Sequence, residues 1–188
     1  MRAFLAIDLP EVAREKIAAL QRELASSGAD VKWVGPDHLH VTLKFLDEIS
    51  DAQRQAIEER VGQLAGCEAA FRLGLERIGA FPSIAAPRVI WIGLAEGAER
   101  VAHLAQWIEQ EVVTLQVRKE ERPFAAHLTI GRVRSARHRP MLVQRLREVS
   151  WQPPAAWPVT LLTLYQSVLS SSGPHHTVLA TFPLQMSR

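Results

Sequence analysis

The chain has 188 residues, of which 47% are apolar, and its formal net charge is only +2 at pH 7. This composition fits a soluble globular protein of one large domain or two closely packed lobes, and it permits a polyanionic partner without demanding one. No apolar run reaches the roughly 20 residues of a membrane-spanning helix, the N-terminal segment turns charged too early for a signal peptide, and the lone Cys67 excludes a disulfide framework and a thiolate zinc site. We therefore expect a cytoplasmic protein in which Cys67 is a structural or incidental thiol.

The first half of the chain predicts a strand, a helix, a second strand, a second helix and a third strand. The strand predictions rest on apolar alternation, and the helix predictions rest on apolar residues spaced three and four apart between capping signals. Pro10 suits a first helical turn, and Ser50 with Gln53 forms a capping-box pattern. In chain order the predicted elements are a strand at 2–8, a helix from Pro10 to Gly28, a strand at 39–46, a helix between Ser50 and Gly66, and a strand at 70–79.

The second half predicts the same order of elements after a Pro-rich connection, "FPSIAAP", at 81–87. The predicted elements are a strand at 88–94, a helix at 97–113, a strand at 126–133, a helix marked by Leu142, Leu146 and Val149, and strands near 159–169 and 177–183. An offset of 87 residues carries Ile7 to Leu94, Leu20 to Trp107, His40 to His127 and Leu75 to Leu162.

This repetition predicts an α+β fold with two similar lobes related by a pseudo-twofold axis, each with an antiparallel-rich sheet and flanking helices. The whole chain, 1–188, is expected to be a single bilobal domain with internal repeats at about 2–79 and 88–169 and an extra C-terminal strand at 177–183. Two copies placed face to face bring equivalent positions to one central groove. A closed two-lobed core gives no reason to require a dimer, so we expect a monomer.

One tetrapeptide pattern, His-apolar-Thr-apolar, occurs twice, as "HVTL" from His40 and as "HLTI" from His127. Alternate residues of a strand point to opposite faces, so His40 shares a face with Thr42, and His127 shares one with Thr129. The apolar residues between them, together with Phe45 beyond the first motif, are predicted to pack in the core. Each motif thus presents a polar pair on a strand that is anchored by packing from behind.

Two histidines on either side of a phosphorus atom suit acid–base cleavage of a phosphodiester. The ordinary pKa of imidazole is near 6.5, so at neutral pH one ring can be neutral while its partner is protonated. Such a pair can act as base and acid in an in-line displacement, and threonine hydroxyls can donate to the non-bridging oxygens. This chemistry requires no metal and no nucleotide cofactor. The alternative is a zinc site built from His40, His127 and either His175 or His176, although the motifs bring no Asp, Glu or Cys ligands with them.

Longer stretches extend the similarity from end to end of the chain. They are "MRAFLAIDLP", "WVGPDHLHVTLKFLDE", "FPSIAAPRVIWIGL", "RPFAAHLTIGR" and "LYQSVLSSSGPHH". On these residues the chain resembles the 2H phosphoesterases, and within them the bacterial and archaeal RNA 2′,3′-cyclic phosphodiesterases once called 2′-5′ RNA ligases. The resemblance implies a bilobal fold with both motifs in a central groove.

The resemblance also implies an activity, hydrolysis of an RNA-terminal 2′,3′-cyclic phosphate to a 2′-phosphate, with RNA ends, tRNA fragments among them, as partners. It implies that His40 is the proton donor to the departing O3′ and that His127 is the base that takes a proton from the attacking water. Thr42 and Thr129 would hold the phosphate. Two alternatives are reversible 2′-5′ joining of tRNA halves and non-catalytic RNA binding through the groove and the stretch "RVRSARHR".

The chain departs from the family pattern at two positions. Ala126 stands before the second motif where the family often has Pro, and His176 stands where it often has Tyr. If the family's Tyr helps to hold substrate, we expect His176 either to replace it by stacking or by a hydrogen bond, or to bind the substrate more weakly. The stretch "HHT" at 175–177 is interpreted as an incidental third match. Arg132 matches a basic family position that can contact phosphate, but simple alternation places it on the core-facing side unless the strand ends or a bulge follows after Gly131.

Several nearby residues have two predicted uses each. Lys44 and His38 share strand parity with the first motif histidine, so they are expected to line the groove or to lie at a solvated edge. Phe81 and Trp33 can stack on a base or pack in the interior. The Arg-rich stretch at 131–140, "GRVRSARHRP", predicts either a solvated loop or a surface that contacts the phosphate backbone.

Overall fold

Residues 1–170 and 173–186, the part of the chain that the computed structural model describes, form both helices and strands. The α-helices are α1 (Glu11–Ala25), α2 (Asp51–Ala65), α3 (Ala98–Thr114) and α4 (Arg139–Glu148), and a short 3₁₀ helix spans Pro36–His38. The strands are β1 (Arg2–Asp8), β2 (Val31–Trp33), β3 (His40–Glu48), β4 (Phe71–Leu73), β5 (Leu75–Ser83), β6 (Ala86–Leu94), β7 (His127–Val133), β8 (Trp157–Val159), β9 (Leu161–Ser170) and β10 (Gly173–Pro183). Residues 171 and 172, which belong to the stretch "LYQSVLSSSGPHH", and residues 187 and 188 lie outside the described residues.

The predicted helices are confirmed, and their sequences explain where they begin and which face they bury. The Ser50 hydroxyl accepts from the Gln53 N–H at 3.2 Å, and the Gln53 side-chain oxygen accepts from the Ser50 N–H at 3.0 Å, which closes a capping box at the start of α2. Helix α1 buries Ile17, Leu20 and Leu24, the three-and-four spacing of one helical face. Among the described residues, no helix is both long and apolar enough to cross a membrane.

Two four-stranded antiparallel sheets form the two lobes, and each sheet takes strands from both halves of the chain. Sheet 1 has the strand order β10-β9-β1-β3, and sheet 2 has the order β2-β7-β6-β5. The strand that ends each half pairs with the strand that begins the other, because β5 joins β6 and β9 joins β1. Helices cross over as well, since α3 packs on β3 of sheet 1 and α1 packs on β7 of sheet 2. The predicted bilobal α+β architecture is confirmed, but neither sheet is built from one half alone.

A third sheet, of two strands, marks the pseudo-twofold axis. Strand β4 precedes β5 in the first half, and β8 precedes β9 in the second, so the two strands occupy equivalent places. They pair with each other, with Phe71 opposite Val159 and Leu73 opposite Trp157. An element that pairs with its own counterpart lies on the axis that relates the two halves.

The predicted Pro-rich connection at 81–87 is wrong. Strand β5 continues to Ser83 and β6 begins at Ala86, so most of this stretch forms a tight hairpin. Pro82 is tolerated because β5 is the edge strand of sheet 2, and Pro87 is tolerated because it precedes the part of β6 that pairs with β7. Two prolines therefore lie within strands where they remove no hydrogen bond to a third strand.

The two halves match with the predicted offset of 87 residues at the motif strands, but not along their whole length. Thr42 pairs with Ala6 and Thr129 pairs with Trp91, so β1 and β6 are related by an offset of 85 residues. The predicted alignment of the first strands is therefore wrong by two residues. The reason is that the connection from first strand to motif strand is two residues longer in the second half.

Candidate active site

Both His-apolar-Thr-apolar motifs line one groove between the two sheets. Strand β3 carries the first motif and β7 the second, and these two strands contact each other where the lobes meet. The groove has a volume of about 560 Å³. Its walls carry the two motif pairs together with basic, aromatic and acidic side chains, among them Arg2, Phe4, Lys32, Trp33, His38, His40, Thr42, Phe45, Asp47, His127, Thr129, Arg132 and His176.

The backbone orients the two motif histidines in the same way. Nδ1 of His40 lies 2.7 Å from the carbonyl oxygen of His38, and Nδ1 of His127 lies 2.6 Å from the carbonyl oxygen of Ala125. A carbonyl oxygen only accepts, so each Nδ1 carries a proton and donates it. Nε2 is therefore the atom of each ring that is left to exchange a proton with a ligand.

His40 is the more enclosed of the two imidazoles. Its ring stacks on Phe4 with the centroids 4.7 Å apart, and the ring of His176 approaches it edge-on at 5.6 Å. Burial lowers the pKa of His40 to about 4, while the hydrogen bond to His38 and the carboxylate of Asp8 oppose this lowering. In the ligand-free groove His40 is therefore neutral at pH 7.

The free energy of unfolding is expected to depend on pH through His40. The folded state keeps the ring neutral down to a pH of about 4, whereas an unfolded histidine takes up a proton near pH 6.5. Between these values the unfolded state binds more protons, so stability is lost as the pH falls, by up to about 3 kcal/mol. Urea unfolding at about pH 7.5 and about pH 4 measures this decrease in the free energy of unfolding. In His40→Gln the decrease is expected to be about 3 kcal/mol smaller than in the wild type.

The matched control for this measurement is His103→Gln, because the His103 side chain is 60% exposed on α3. The control variant is expected to lose as much stability on acidification as the wild type. If His40→Gln also loses as much as the wild type, the neutral, buried state of His40 does not contribute to acid sensitivity.

A β-bulge interrupts each motif strand one residue after its threonine. In β3 the extra residue is Leu43, and in β7 it is Ile130, since each lies unpaired between two paired neighbours. A bulge shifts the alternation of faces for the residues beyond it. Arg132 consequently lies in the groove, and the bulge that this placement requires lies just before Gly131 rather than after it.

The first bulge overturns two predictions on β3. Lys44, expected in the groove or at a solvated edge, is only 6% exposed, and its Nζ donates to Glu109 Oε2 at 2.6 Å and to the carbonyl oxygen of Arg118 at 2.9 Å. Phe45, expected in the core, is 55% exposed and lines the groove. Both differences have the same cause, because the extra residue Leu43 exchanges the faces of the two residues that follow it.

His38 and His176 extend the group of imidazoles around His40. Both line the groove, and their rings meet edge-on with the centroids 4.8 Å apart. Burial lowers the pKa of His176, and the charges of His38 and His175 lower it further. His175 itself is exposed. Although several imidazoles gather here, no three His, Cys, Asp or Glu side chains of residues 1–170 and 173–186 are grouped to hold a metal ion.

The two remaining aromatic candidates, Trp33 and Phe81, are both partly packed. Trp33 lines the groove and also packs against the core. Phe81 packs on Trp91 with the centroids 5.1 Å apart and meets the ring of His127 edge-on at 5.2 Å, but it is still 38% exposed. Each ring therefore has one packed and one accessible side, and base stacking by either stays a prediction.

The Arg-rich stretch at 131–140 also serves two purposes. Arg132 lines the groove, and Arg134 instead pairs with Asp30, its Nη2 2.7 Å from the carboxylate. Most of the other residues of the stretch are exposed. The solvated surface that was predicted as one alternative describes most of the stretch, whereas Arg132 lies on the wall of the groove.

A polar network beside the first motif is not indicated by the sequence patterns. Asp8 ends β1 and lies opposite His40 on the neighbouring strand. Its carboxylate accepts hydrogen bonds from the Thr163 hydroxyl at 2.7 Å and from the Tyr165 hydroxyl at 2.6 Å. The one local signal is an acidic residue at the end of the apolar strand "RAFLAID", and its partners lie 155 and 157 residues away in the sequence.

Proteins of known sequence are similar to this chain over nearly its full length. The sequence pattern of the LigT like phosphoesterase family matches the chain twice, at residues 7–91 and 92–176. The RNA 2′,3′-cyclic phosphodiesterase of Archaeoglobus fulgidus is 36% identical over 182 residues, which cover 97% of this chain and 99% of that protein. The protein of the same name from Methanothermobacter thermautotrophicus is 33% identical and covers 98% of this chain and 99% of its own length.

Solved structures share the fold as well. The crystal structure of a protein from Thermus thermophilus has a TM-score of 0.82 at 29% identity, with 100% of both chains covered. E. coli LigT in its apo form has a TM-score of 0.78 at 28% identity over 97% of this chain and 96% of that one, and the same protein has been crystallised with 3′-AMP. Two family matches, full-length relatives and a shared fold show that this chain belongs to the LigT-like phosphoesterase family.

Proposed function

We propose that the protein is a metal-independent hydrolase that opens RNA-terminal 2′,3′-cyclic phosphates and leaves a 2′-phosphate end. The observation that carries this proposal is the matched pair of imidazoles, His40 and His127, in one groove, each with Nδ1 held by a backbone carbonyl. Binding of RNA alone does not need two such groups. The activity named for the archaeal relatives supports the same class of substrate.

Each groove residue has a proposed step in an in-line displacement at phosphorus. His127 Nε2 takes a proton from a water molecule while the water oxygen attacks the phosphorus. The P–O3′ bond breaks, and His40 Nε2 gives its proton to O3′, which leaves a 3′-hydroxyl and a 2′-phosphate. The hydroxyls of Thr42 and Thr129 and the guanidinium of Arg132 hold the non-bridging oxygens, whose negative charge increases in the transition state. Proton exchange with solvent then returns both rings to their starting states.

The donor role of His40 requires the substrate to favour the protonated ring. In the ligand-free groove the pKa of His40 is about 4, mainly because the ring is buried. A cyclic phosphate is an anion, and an opposite charge within about 4–6 Å raises the pKa of an imidazole. Binding of the phosphate is therefore proposed to create the acid that the departing oxygen needs.

Other groove residues are proposed to hold the nucleotide part of the substrate. Phe45 is an exposed aromatic ring on the wall of the groove, and Trp33 presents further surface. Stacking of a base on an aromatic side chain is worth about 1–3 kcal/mol. His176 is proposed to stack or hydrogen-bond in place of the family's Tyr, and Lys32 lies where it can approach the RNA backbone.

Incubation of the purified protein with an oligonucleotide that ends in a 2′,3′-cyclic phosphate, in the presence of EDTA, tests this function. The wild type is expected to produce a 2′-phosphate end, and His40→Ala and His127→Ala are expected to lose the activity. No opening, or undiminished opening by both variants, would contradict the proposal. An RNA with a 5′-hydroxyl added to the same reaction tests 2′-5′ joining, and RNA binding that persists in the double variant without any product would favour a non-catalytic protein.

Several expectations from the sequence stay predictions. They are the single bilobal domain over 1–188 with its repeat boundaries, the monomeric state, the cytoplasmic location, the lack of any cofactor requirement, and tRNA fragments as the RNA that is bound. Each is open to a direct measurement, such as light scattering for the monomer and sequencing of cross-linked RNA for the substrate.

A further inference from the structure

Residues of β1 correspond to residues of β6 at an offset of 85, so the neighbours of the two motif histidines can be compared position by position. Asp8 lies opposite His40 on the neighbouring strand, and the equivalent residue opposite His127 is Gly93. The pseudo-twofold symmetry that relates the two motifs is therefore broken at this pair, with an acidic side chain on one side and a glycine on the other.

Asp8 is held in place by two hydrogen bonds from β9. The hydroxyl of Thr163 donates to Oδ2 at 2.7 Å, and the hydroxyl of Tyr165 donates to Oδ1 at 2.6 Å. Burial and, after it, the hydrogen bond to Asp8 raise the pKa of Tyr165, so the phenol keeps its proton and remains a donor. Both carboxylate oxygens are engaged, and the carboxylate has a fixed position on the strand next to His40.

The corresponding space beside His127 is filled by an aromatic ring. Trp91 lies over Gly79, where an added Cβ atom would overlap the indole, and its ring centroid is 6.5 Å from that of His127. Phe81 approaches the same imidazole edge-on at 5.2 Å. Gly79 and Phe81 occupy the places on β5 that the two donors to Asp8 occupy on β9. One motif thus has a polar neighbourhood and the other an aromatic one.

Charged groups on several elements act on the protonation of His40. The carboxylate of Asp8 on β1 favours the imidazolium, whereas His176 on β10 and His38 in the 3₁₀ helix oppose it when they are charged. Arg14 on α1 is a further positive group on this side, and it acts on the phenol that donates to Asp8. Asp8 is thus the acidic member of this set, and its effect opposes both burial and the positive neighbours.

We propose that Asp8 is a positioning residue that stabilises the imidazolium of His40 and so assigns the role of acid to the first motif. The carboxylate acts through the ring and not on the reacting atoms, because Nε2 of His40 remains open to the substrate. His127, beside Gly93 and Trp91, is left to act as the base. This inference rests on the proposed function, since acid and base differ only if both rings take part in catalysis.

An Asp8→Asn variant of the full chain tests the proposal, because asparagine keeps the size of the side chain and removes its charge. Two substrates are compared, a terminal 2′,3′-cyclic phosphate with its natural 3′-oxygen and an analogue with sulfur at the 3′ position. A thiolate leaves without a proton, since the pKa of a thiol is about 8.5, so the analogue needs no acid. We expect kcat to fall about tenfold with oxygen and to change less than about twofold with sulfur.

NMR titration of the imidazole ring protons gives a readout that does not depend on activity. Asp8→Asn is expected to move the titration of His40 to lower pH and to leave that of His127 unchanged. Tyr165→Phe removes one donor and keeps the negative charge, so its effects are expected to be smaller than those of Asp8→Asn.

Equal losses with the oxygen and sulfur substrates, or an unchanged titration of His40, would overturn the proposal in favour of a purely structural Asp8. If Asp8→Asn does not fold, Asp8→Ser, which also removes the charge and keeps a hydrogen-bond acceptor at this position, is measured in the same two ways, and the same outcomes decide. If the wild type opens neither substrate, the proposed function fails, whereas the titration still tests the effect of Asp8 on His40.

Discussion

His127→Ala is expected to lower kcat for opening a terminal 2′,3′-cyclic phosphate by about 10²- to 10⁴-fold, whether oxygen or sulfur leaves. His40→Ala is expected to lose as much with the 3′-oxygen substrate but to recover most of its activity with the 3′-sulfur analogue. The reason is that both substrates need a base to activate water, whereas only the oxygen substrate needs a proton on the leaving atom. The ratio of the two kcat values, measured for each variant against the wild type, therefore separates the acid from the base.

The control for this experiment is His103→Ala, which changes a histidine on the exposed side of α3 and is expected to retain kcat with both substrates. If sulfur restores His127→Ala and not His40→Ala, the two rings have the reverse roles. If sulfur restores neither variant, departure of the leaving group is not assisted by either histidine.

Lys44→Met is expected to lower the free energy of unfolding by about 3 kcal/mol, near the lower end of the range for breaking a buried ion pair. The Lys44 ammonium is buried between the Glu109 carboxylate, at 2.6 Å, and the Arg118 carbonyl, at 2.9 Å. Its removal leaves an enclosed negative charge and a carbonyl without its donor. The lower end applies because the Glu109 side chain is still 22% exposed. Urea unfolding at about pH 7 measures the change.

A second substitution shows whether the ion pair is the cause. The double variant Lys44→Met/Glu109→Leu is expected to recover much of the loss, because two apolar side chains of similar size replace both charges. Lys16→Met, at an exposed position on α1, is the matched control and is expected to stay within about 0.5 kcal/mol of the wild type. A loss in Lys44→Met no larger than that of Lys16→Met would mean that the pair does not stabilise the fold.

Local sequence signals predict where the helices and strands lie better than they predict which strands and residues contact one another. The start of α2 follows from Ser50 and Gln53, which are three residues apart and satisfy each other. The break between β4 and β5 has no such signal, because Gly74 is held by residues of the second half. Its N–H donates to the carbonyl of Glu96 at 2.9 Å, and its carbonyl accepts from the N–H of Ala95 at 2.8 Å. The sequence also does not predict that strands are exchanged between the halves, because the apolar alternation of a strand is the same whichever strand it pairs with.

The repeated motif predicts which histidines and threonines share the groove, but the bulges decide what else lines it. Plain alternation places Lys44 in the groove and Phe45 in the core, and one extra residue reverses both. The second bulge is stabilised by Gln21 of α1, whose Nε2 donates to the carbonyl of Ile130 at 2.9 Å across 109 residues of sequence. The local sequence pattern does not indicate a contact between residues so far apart in the chain. The position of the bulge that places Arg132 in the groove therefore could not be predicted.

The exchange of strands between the two halves also limits how the groove can move. Between β1 and β9, within the residues described, the chain passes from one four-stranded sheet to the other four times. Closure about a hinge needs two bodies joined at a few flexible residues, and here any separation of the lobes would pull on all of these connections and on the sheet hydrogen bonds beside them. The two imidazoles therefore form a preorganised pair, whose spacing is set by the folded chain and does not depend on closure of the two lobes around a ligand.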